Sequence, residues 1–348
     1  MIGIPHIIPI NKVLKSKLNQ FFIDHFNQRK AKFLIDHGEW HYRGNENRFA
    51  MLLDNKIIGY FGIIPTSINK YNVKSEALWW IDLVINKKYR GLGYQSMIDE
   101  YVRNRPEIKL GIPNQFAAKI HTKHKWSVKK DPRVFLFPIN PKISLLSKKE
   151  YSKYGILLRI FISVISPVVK LILHFIKKYQ VKWTVEIVDP SPNLLQDIFY
   201  LNKDSRHITT WRDTDYLNHR YLKSPKKNEL RFFVCKKNNI ISHYCIIRTI
   251  SKNGNKIIRI LDLYGDFHDI ECIADLLKAV IKEAYNINAI QITALNCSKK
   301  LNKVYRFCGF IISKRSMFCY YENDLSHLNH RSNEIYFTLG DSDNDDNG

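Results

Sequence analysis

The sequence lacks the cysteine spacings that are typical of a metal site. All of its cysteines lie in the second half of the 348 residues, and none belongs to a Cys-x-x-Cys pair. No histidine cluster shares their spacing, so a zinc site is not expected. Because several lie in apolar stretches, we expect buried, reduced thiols in a cytoplasmic protein. The six cysteines are Cys235, Cys245, Cys272, Cys297, Cys308 and Cys319.

The sequence predicts neither a secretion signal nor an uninterrupted membrane span. No basic region precedes the short apolar run of residues 1–10, so no signal peptide is predicted. Residues 155–178 form a long apolar stretch, but Pro167 interrupts it and polar side chains recur at steps of three or four residues. This pattern predicts an amphipathic helix that either packs between domains or lies on an anionic membrane surface. Its polar residues are Arg159, Ser163, Ser166, Lys170, His174 and Lys177.

Basic side chains outnumber acidic side chains in this sequence. The 55 Lys and Arg residues against 32 Asp and Glu residues give a formal net charge of +23. Such a surface attracts polyanions, including nucleic acid, anionic lipid head groups and phosphorylated substrates. A general lysine bias explains the excess equally well, because the lysines are spread along the chain. The charge alone therefore assigns no partner.

The length and composition predict two globular domains. A single core rarely grows beyond about 250–300 residues, and 45% hydrophobic with 25% charged residues is ordinary globular composition. The two halves repeat one order of elements, which indicates an internal duplication. The first half contains a hairpin at 49–65, strands at 77–85, 109–113 and 134–138, and helices at 94–103 and 115–123. The second contains a hairpin at 230–247, strands at 257–263, 289–293 and 315–321, and helices at 270–285 and 299–307.

These patterns divide the chain into four segments. We expect a first domain at 1–140, a basic amphipathic helical linker at 141–180 and a second domain at 181–338. The acidic tail at 339–348 is expected to be solvated and mobile.

Residues 81–97 are the most informative segment. An apolar strand ends at Ile85 and a helix begins near Tyr94, and the turn between them supplies Gly91 and Gly93. Glycines let the backbone approach a ligand closely, and a helix N-terminus offers free N–H groups, so the turn suits a pyrophosphate. It lacks the third glycine and the acidic residue of the dinucleotide-binding motif, and it has no Gly-Lys-Ser/Thr of a Walker loop.

The turn resembles the coenzyme A loop of the GNAT acetyltransferase superfamily, Gln/Arg-x-x-Gly-x-Gly/Ala. Arg90, Gly93 and Gln95 occupy its defined positions, although Gln95 replaces a small residue, and the resemblance covers about 45–138. It implies an α/β (α+β) fold with two GNAT-type domains, each a mixed, mostly antiparallel sheet flanked by helices. It also implies acyl-CoA, in particular acetyl-CoA, as co-substrate, and no metal. The binding residues it implies are Leu83, Val84, Ile85, Arg90, Gly91, Leu92, Gly93, Tyr94, Gln95 and Asn114.

Two residues of the first half are catalytic candidates, and the resemblance points to one of them. The family often places a tyrosine, acting as the acid for the leaving thiolate, five residues before a Gly-aromatic ending; counting back from Trp126 gives His121. Histidine can donate a proton at neutral pH, and a surface histidine beside His124 is the alternative. Asp82 in the central strand is the candidate base, and a structural hydrogen bond to a neighbouring loop is its alternative.

Aromatic residues of the first half are candidates for an acceptor pocket. Aromatic faces suit sugar rings, but packing in the core is their commoner fate. The candidates are Trp40, His41 and Tyr42, or Trp79 and Trp80.

The second half lacks the loop. Acidic residues within 262–271 stand where arginine and glycine are expected and would repel a pyrophosphate, whereas Tyr305 and the Gly-aromatic ending are kept. Residues 211–225 and 336–343 resemble segments of tandem acetyltransferase-like proteins from bacterial surface polysaccharide loci. That resemblance implies an acceptor-side domain in which Arg212 or Arg220 contacts phosphate or sugar oxygens.

Three functions follow. The first is an acyl-CoA-dependent N-acyltransferase for an amino sugar or a surface-glycan precursor, nucleotide- or lipid-linked, in the cytoplasm or at the inner face of the membrane through 155–178. Nucleic acid is not expected as a partner in this case. The second is a ligase like the Fem family, which uses aminoacyl-tRNA; the positive charge suits tRNA, but the coenzyme A loop would then be idle. The third is a non-catalytic GNAT-fold binding protein at the membrane surface.

Overall fold

The computed structural model describes residues 3–130, 132–146, 182–203, 207–322 and 334–342, together with residues 167 and 171. Most of the stretch 155–178 therefore lies outside the described residues, and its amphipathic helix stays a prediction. No helix in the described ranges has the length and apolar character needed to cross a membrane.

The described chain forms sixteen strands and nine α-helices. The strands of the first half are β1 (His6–Pro9), β2 (Arg48–Leu53), β3 (Lys56–Lys70), β4 (Val73–Ile85), β5 (Ile108–Gly111), β6 (Ser127–Lys129) and β7 (Arg133–Pro138). Those of the second half are β8 (Thr184–Val188), β9 (His207–Thr210), β10 (Leu230–Lys237), β11 (Ile240–Lys252), β12 (Asn255–Tyr264), β13 (Ala289–Asn296), β14 (Ile311–Arg315), β15 (Phe318–Tyr321) and β16 (Glu334–Tyr336). The helices are α1 (Lys15–His25), α2 (Gln28–His41), α3 (Tyr94–Arg103), α4 (Gln115–Lys123), α5 (Pro141–Leu146), α6 (Pro192–Asn202), α7 (Thr214–Leu217), α8 (Ile270–Asn286) and α9 (Lys299–Phe307).

The strands form two mixed sheets. The first has the order β1-β2-β3-β4-β5-β15-β6, and β9 branches off it by pairing with β3 and with β16. The second has the order β14-β7-β13-β12-β11-β10-β8. Neighbours are antiparallel except for β4–β5, β12–β13 and β9–β16. The mixed, mostly antiparallel sheets flanked by helices confirm the predicted fold class.

Alternation along β4 separates the two faces of the first sheet. Trp79 packs in the core beneath α1 and α2, whereas Trp80 packs in the core that contains Ile98 of α3. Successive side chains of a strand point to opposite faces, so one dipeptide contributes to both layers. The β2–β3 hairpin turns at Asp54 and Asn55, both at positive φ, as expected for its turn-like sequence.

The two sheets exchange a strand. Residues 134–138 were expected to complete the first half, but β7 lies between β13 and β14 of the second sheet. Residues 315–321 were expected to complete the second half, but β15 lies between β5 and β6 of the first. Both strands are short, largely apolar runs, so the local pattern did not distinguish between the sheets.

The C-terminal segment corrects another expectation. Asp341 and Ser342, assigned to a solvated tail, are 5% and 1% exposed. The predicted burial of the cysteines is confirmed, because all six thiols are free and buried.

Candidate functional site

A cleft opens where β4 and β5 separate. The two strands pair in parallel only from Ala77 to Trp79. Beyond that point, a cavity of about 860 Å³ lies between the strand ends and the first turns of α3 and α4. Leu83 and Val84 line it, and their backbone lies beyond the last pairing with β5. An extended ligand can therefore pair with this strand end, as a peptide pairs with a sheet edge.

A bulge in β4 shapes the cleft. The register between β3 and β4 shifts opposite Tyr60 and Gly62, and Asp82 adopts φ +55°. A bulge of this kind bends its strand and re-aims side chains. A non-glycine residue at positive φ is strained and persists only where its surroundings hold it.

Two contacts hold Asp82 in this conformation. Its carboxylate lies 2.9 Å from Lys30 Nζ and accepts a hydrogen bond from the Tyr42 hydroxyl. The Lys30 and Asp82 side chains are 5% and 6% exposed. Burial, with the Asp82 charge next in importance, raises the pKa of Tyr42 well above its usual value. Tyr42 therefore remains a neutral donor, and Lys30 balances the charge of the carboxylate.

The loop before α3 is open to a ligand. Gly91 and Gly93 both adopt φ +83°, and a Cβ at either position would meet nothing within 4 Å in the described structure. Gly93 is the N-cap of α3, and no described side chain caps this helix. The first N–H groups of a helix lack intrahelical partners and favour anions. The loop thus presents a free helix N-terminus to the cleft.

Arg90 and Asn114 have structural contacts as well as cleft positions. Arg90 Nε donates to the Ile85 carbonyl at 2.9 Å, which ties the loop to the end of β4. The Asn114 Oδ1 atom accepts from the backbone N–H groups of Phe116 and Ala117 and caps α4.

The structure brings together nine of the ten predicted binding residues. Leu92 is the exception, since it is 61% exposed and lies outside the lining. The nine that line the cleft are Leu83, Val84, Ile85, Arg90, Gly91, Gly93, Tyr94, Gln95 and Asn114.

His121 is buried in the wall of the same cleft. The residue is 5% exposed, which differs from the surface position considered in the sequence. Its ring packs against Trp80 and Trp126, with centroids 5.1 and 4.6 Å away. Its Nδ1 atom lies 3.2 Å from Asp99 Oδ1. Both catalytic candidates therefore line one cavity, His121 from α4 and Asp82 from β4.

Sequence reasoning missed Lys30 and Asp99. Asp99 follows Ile98 within the buried side of α3, and it is completely buried. A carboxylate at the edge of an apolar stripe requires a partner, and this signal was present in the sequence. Lys30 carried no comparable signal, because its partner lies on a distant strand.

Most of the predicted acceptor aromatics have other roles. Trp79 is fully buried in the core, and His41 is 2% exposed. Trp40 stacks on His219 of the second half and donates to its carbonyl. Trp80 alone among them lines the cleft.

The second half has an equivalent carboxylate in a different environment. Asp262 lies at the bulge of β12 and accepts two hydrogen bonds from Arg212, at 2.9 and 3.0 Å. Arg212 also contacts Asp341 and is fully buried, so the expectation that it meets a ligand is wrong. Arg220 donates to the Gly340 carbonyl at 2.6 Å.

In the second half, the chain itself fills the gap that corresponds to the cleft of the first half. β12 and β13 stop pairing after Ile260. The Tyr336 hydroxyl donates to the Leu263 carbonyl at the end of β12, and Cys297, just after β13, donates to the Phe337 carbonyl at 3.4 Å. Residues 334–342 therefore occupy the place that is a cleft in the first half.

The helix that follows β12 also differs from α3. Asp269 caps α8 by accepting from the Cys272 N–H at 3.2 Å. Tyr305, the residue at the family's tyrosine position, is 2% exposed and stacks on Phe135. At these two positions the second half thus offers neither a free helix N-terminus nor an accessible tyrosine.

Comparisons with known proteins bear on the fold. No family model matches the chain, and no curated protein matches it. A protein of Enterococcus faecalis V583 described as a probable N-acyltransferase is 11% identical with a TM-score of 0.57, over 91% of this chain and 72% of that chain. A GCN5-related N-acetyltransferase from Anabaena variabilis is 13% identical with a TM-score of 0.56, over 91% and 72%. Saccharomyces cerevisiae N-myristoyltransferase with bound myristoyl-CoA is 11% identical with a TM-score of 0.57, over 91% and 82%.

These likenesses define the class of fold. The chain has a GNAT fold, of the kind found in N-acetyltransferases and N-myristoyltransferase. At such identities they establish the architecture alone.

Proposed function

We propose that this protein is an acyl-CoA-dependent N-acyltransferase whose single active site lies in the first half. The observation that carries the proposal is the cleft itself. The end of β4, which is not paired with β5, the Asp82 carboxylate at the bulge and the uncapped N-terminus of α3 all border one cavity of about 860 Å³.

The residues present fit an acyl-CoA molecule. Backbone groups of Leu83 and Val84 would pair with the amides of its pantetheine arm, because this strand end extends beyond its pairing with β5. The first N–H groups of α3, with Arg90 and Gln95, would hold its pyrophosphate. The bound thioester supplies an activated acyl group.

Asp82 is the proposed base. An amine attacks an acyl carbon only when it is neutral, so a group at the cleft has to take its proton. The Asp82 carboxylate lines the cleft, and the contacts from Lys30 and Tyr42 fix its position. His121 is the proposed acid for the leaving sulfur.

The donor is proposed to carry a short acyl group such as acetyl. Asn27, Lys30 and Asp82 line the cleft near the bulge, and the buried Tyr42 lies behind the carboxylate. Polar and charged walls are costly surroundings for a long apolar chain.

The acceptor is proposed to be an amino sugar or a surface-glycan precursor. Support comes from the resemblance of 211–225 to polysaccharide-locus proteins. A polar cavity of about 290 Å³ between the halves is lined by Arg43, Trp211 and Asp213, among others. Association with an anionic membrane through 155–178 is part of the same proposal.

Acyl transfer is tested by incubating the protein with acetyl-CoA and a panel of amino sugars, free and nucleotide-linked. We expect release of free coenzyme A thiol and an acceptor mass increased by one acetyl group. Absence of transfer to every amine tested, with acetyl-CoA bound, would remove the amino-sugar proposal. Product formation that depends on added aminoacyl-tRNA and is abolished by ribonuclease would favour the ligase alternative.

A further inference from the structure

Asp99 is a completely buried carboxylate behind the wall of the cleft. It projects from α3, and its Oδ1 atom lies 3.2 Å from His121 Nδ1. Its Oδ2 atom accepts from Arg103 Nε at 2.6 Å and lies 3.5 Å from His124 Nδ1. Because burial lowers the local dielectric constant, the contact between Asp99 and a neighbouring ring is strong.

The His121 ring has a restricted orientation. Trp80 and Trp126 pack against it, and Asp99 contacts its Nδ1 edge. The two nitrogens of an imidazole lie on different edges of the ring. With Nδ1 directed at Asp99, Nε2 is the nitrogen that remains for the cleft.

We infer that Asp99 is a positioning residue for His121, holding a proton on Nδ1 so that Nε2 acts in the cleft. The inference rests on the proposed function. In the transfer, the acceptor nitrogen bonds to the acyl carbon, the carbon–sulfur bond breaks and its electron pair stays on sulfur. The His121 imidazolium gives its Nε2 proton to that sulfur, and Asp82 takes the proton lost by the amine. Solvent restores both groups between turnovers.

Other charged groups surround the pair and define the controls. Arg103 from α3 and His124 from the end of α4 face the same carboxylate, and Cys319 of β15 lies close enough for the Asp99 charge to raise its thiol pKa further. His124 contacts Asp99 but does not line the cleft. It is therefore the matched control for a purely structural link between α3 and α4.

The kinetic test compares Asp99→Asn, His121→Gln, the double variant and His124→Asn. We expect Asp99→Asn to lower kcat by roughly 10-fold or more while the KM for acetyl-CoA changes less than about 2-fold. The double variant should be no slower than His121→Gln, because Asp99 acts through the ring. His124→Asn should keep wild-type kcat. Equal kcat in Asp99→Asn and wild type, or full additivity in the double variant, would overturn the inference.

A second readout uses the wild-type protein without acyl-CoA. Nuclear magnetic resonance of ¹⁵N-labelled histidine should show a proton on His121 Nδ1 both in the imidazolium and in the neutral ring, and Asp99→Asn should shift that signal while His124→Asn leaves it in place. A His121 ring with its proton on Nε2 alone would contradict the inference. If the wild-type chain transfers no acyl group, the proposed function fails, but the resonance experiment still decides whether Asp99 positions the ring.

Discussion

Asp82 and Asp262 are carboxylates at matching bulges of the two halves, and their surroundings differ. Asp82 has Lys30 and Tyr42 as partners and lines an open cavity. Asp262 is completely buried beside Arg212. A group needs access to its substrate to transfer a proton, so only the first carboxylate is placed for chemistry.

Replacing Asp82 with asparagine tests this role. Asparagine keeps the size of the side chain but cannot take a proton from an amine. We expect kcat to fall by about 10²-fold or more with acetyl-CoA affinity unchanged. Steady-state kinetics and calorimetry measure the two quantities, and Asp262→Asn serves as the counterpart in the second half. An Asp82→Asn enzyme with wild-type kcat would show that another group is the base.

Residues of the candidate site could be predicted from the sequence where the family motif is one continuous segment of the chain. The loop before α3 is continuous in the chain, so its glycines and Arg90 could be predicted together. Asp99 and Lys30 could not be tied to their partners, because those contacts join α3 to α4 and α2 to β4. Contacts between distant segments depend on packing that periodicity does not encode.

Among the elements of the second half, the C-terminal segment closes the gap that corresponds to the cleft of the first half. Residues 334–342 fill the gap between the ends of β12 and β13, and Asp341 joins the buried ion pair of Arg212 and Asp262. Thr338 also donates to Asp341 through its backbone N–H and hydroxyl, at 2.7 and 2.9 Å. Removing the charge of Asp341 leaves a buried arginine with one anionic partner fewer.

The contribution of this ion pair is measurable against a surface counterpart. Asp341→Asn should lower the free energy of unfolding by about 1–3 kcal/mol. Asp215→Asn should change it by less than about 1 kcal/mol, because Asp215 is 83% exposed in its pair with Arg43. Urea unfolding of both variants provides the comparison. Equal losses in the two variants would contradict a closed second cleft held by buried charge.

The local elements were largely predictable, and their assignment to sheets was not. Predicted helices at 94–103, 115–123 and 299–307 match α3, α4 and α9 to the residue. The exchange of β7 and β15 between the sheets could not be predicted from the hydrophobic pattern, because either apolar strand suits either sheet. The buried place of Asp341 was also hidden, because an acidic, Asn-rich ending is typical of a solvated tail.

The buried thiols make the free energy of unfolding of the protein depend on pH. Burial raises the pKa of Cys272 to about 11 and that of Cys308 to about 12, and it also raises the pKa of Cys235, Cys245 and Cys319. Unfolded thiols titrate near pH ~8.5. Above that pH the unfolded chain loses protons that the folded chain keeps, so the free energy of unfolding falls as pH rises.

Lys109 acts in the opposite direction. Burial lowers its pKa to about 8. Between that pH and the usual lysine value near ~10.4, the unfolded chain binds more protons, so this residue favours folding as pH rises. The effect of this lysine on the free energy of unfolding offsets the opposite effect of about one thiol.

We therefore expect the free energy of unfolding to decrease by about 3–5 kcal/mol between pH ~7.5 and pH ~9.5. Urea unfolding in the presence of a reducing agent measures it. Cys245→Ala should make this decrease in the free energy of unfolding smaller by about 1.4 kcal/mol, because one titrating thiol is removed. Identical unfolding midpoints at the two pH values would contradict the buried, neutral thiols.

We expect one acyl-CoA to bind per chain, in the cleft of the first half. Calorimetric titration with acetyl-CoA tests it in wild type, Gln95→Glu and Gln28→Glu. Gln95 lines the cleft in the first turn of α3, whereas Gln28 is an exposed first residue of α2 outside the lining. We predict micromolar-range binding at one site, weakened by roughly 10-fold in Gln95→Glu by charge repulsion and unchanged in Gln28→Glu. No binding by the wild type, two sites per chain, or equal weakening in both variants would contradict the account.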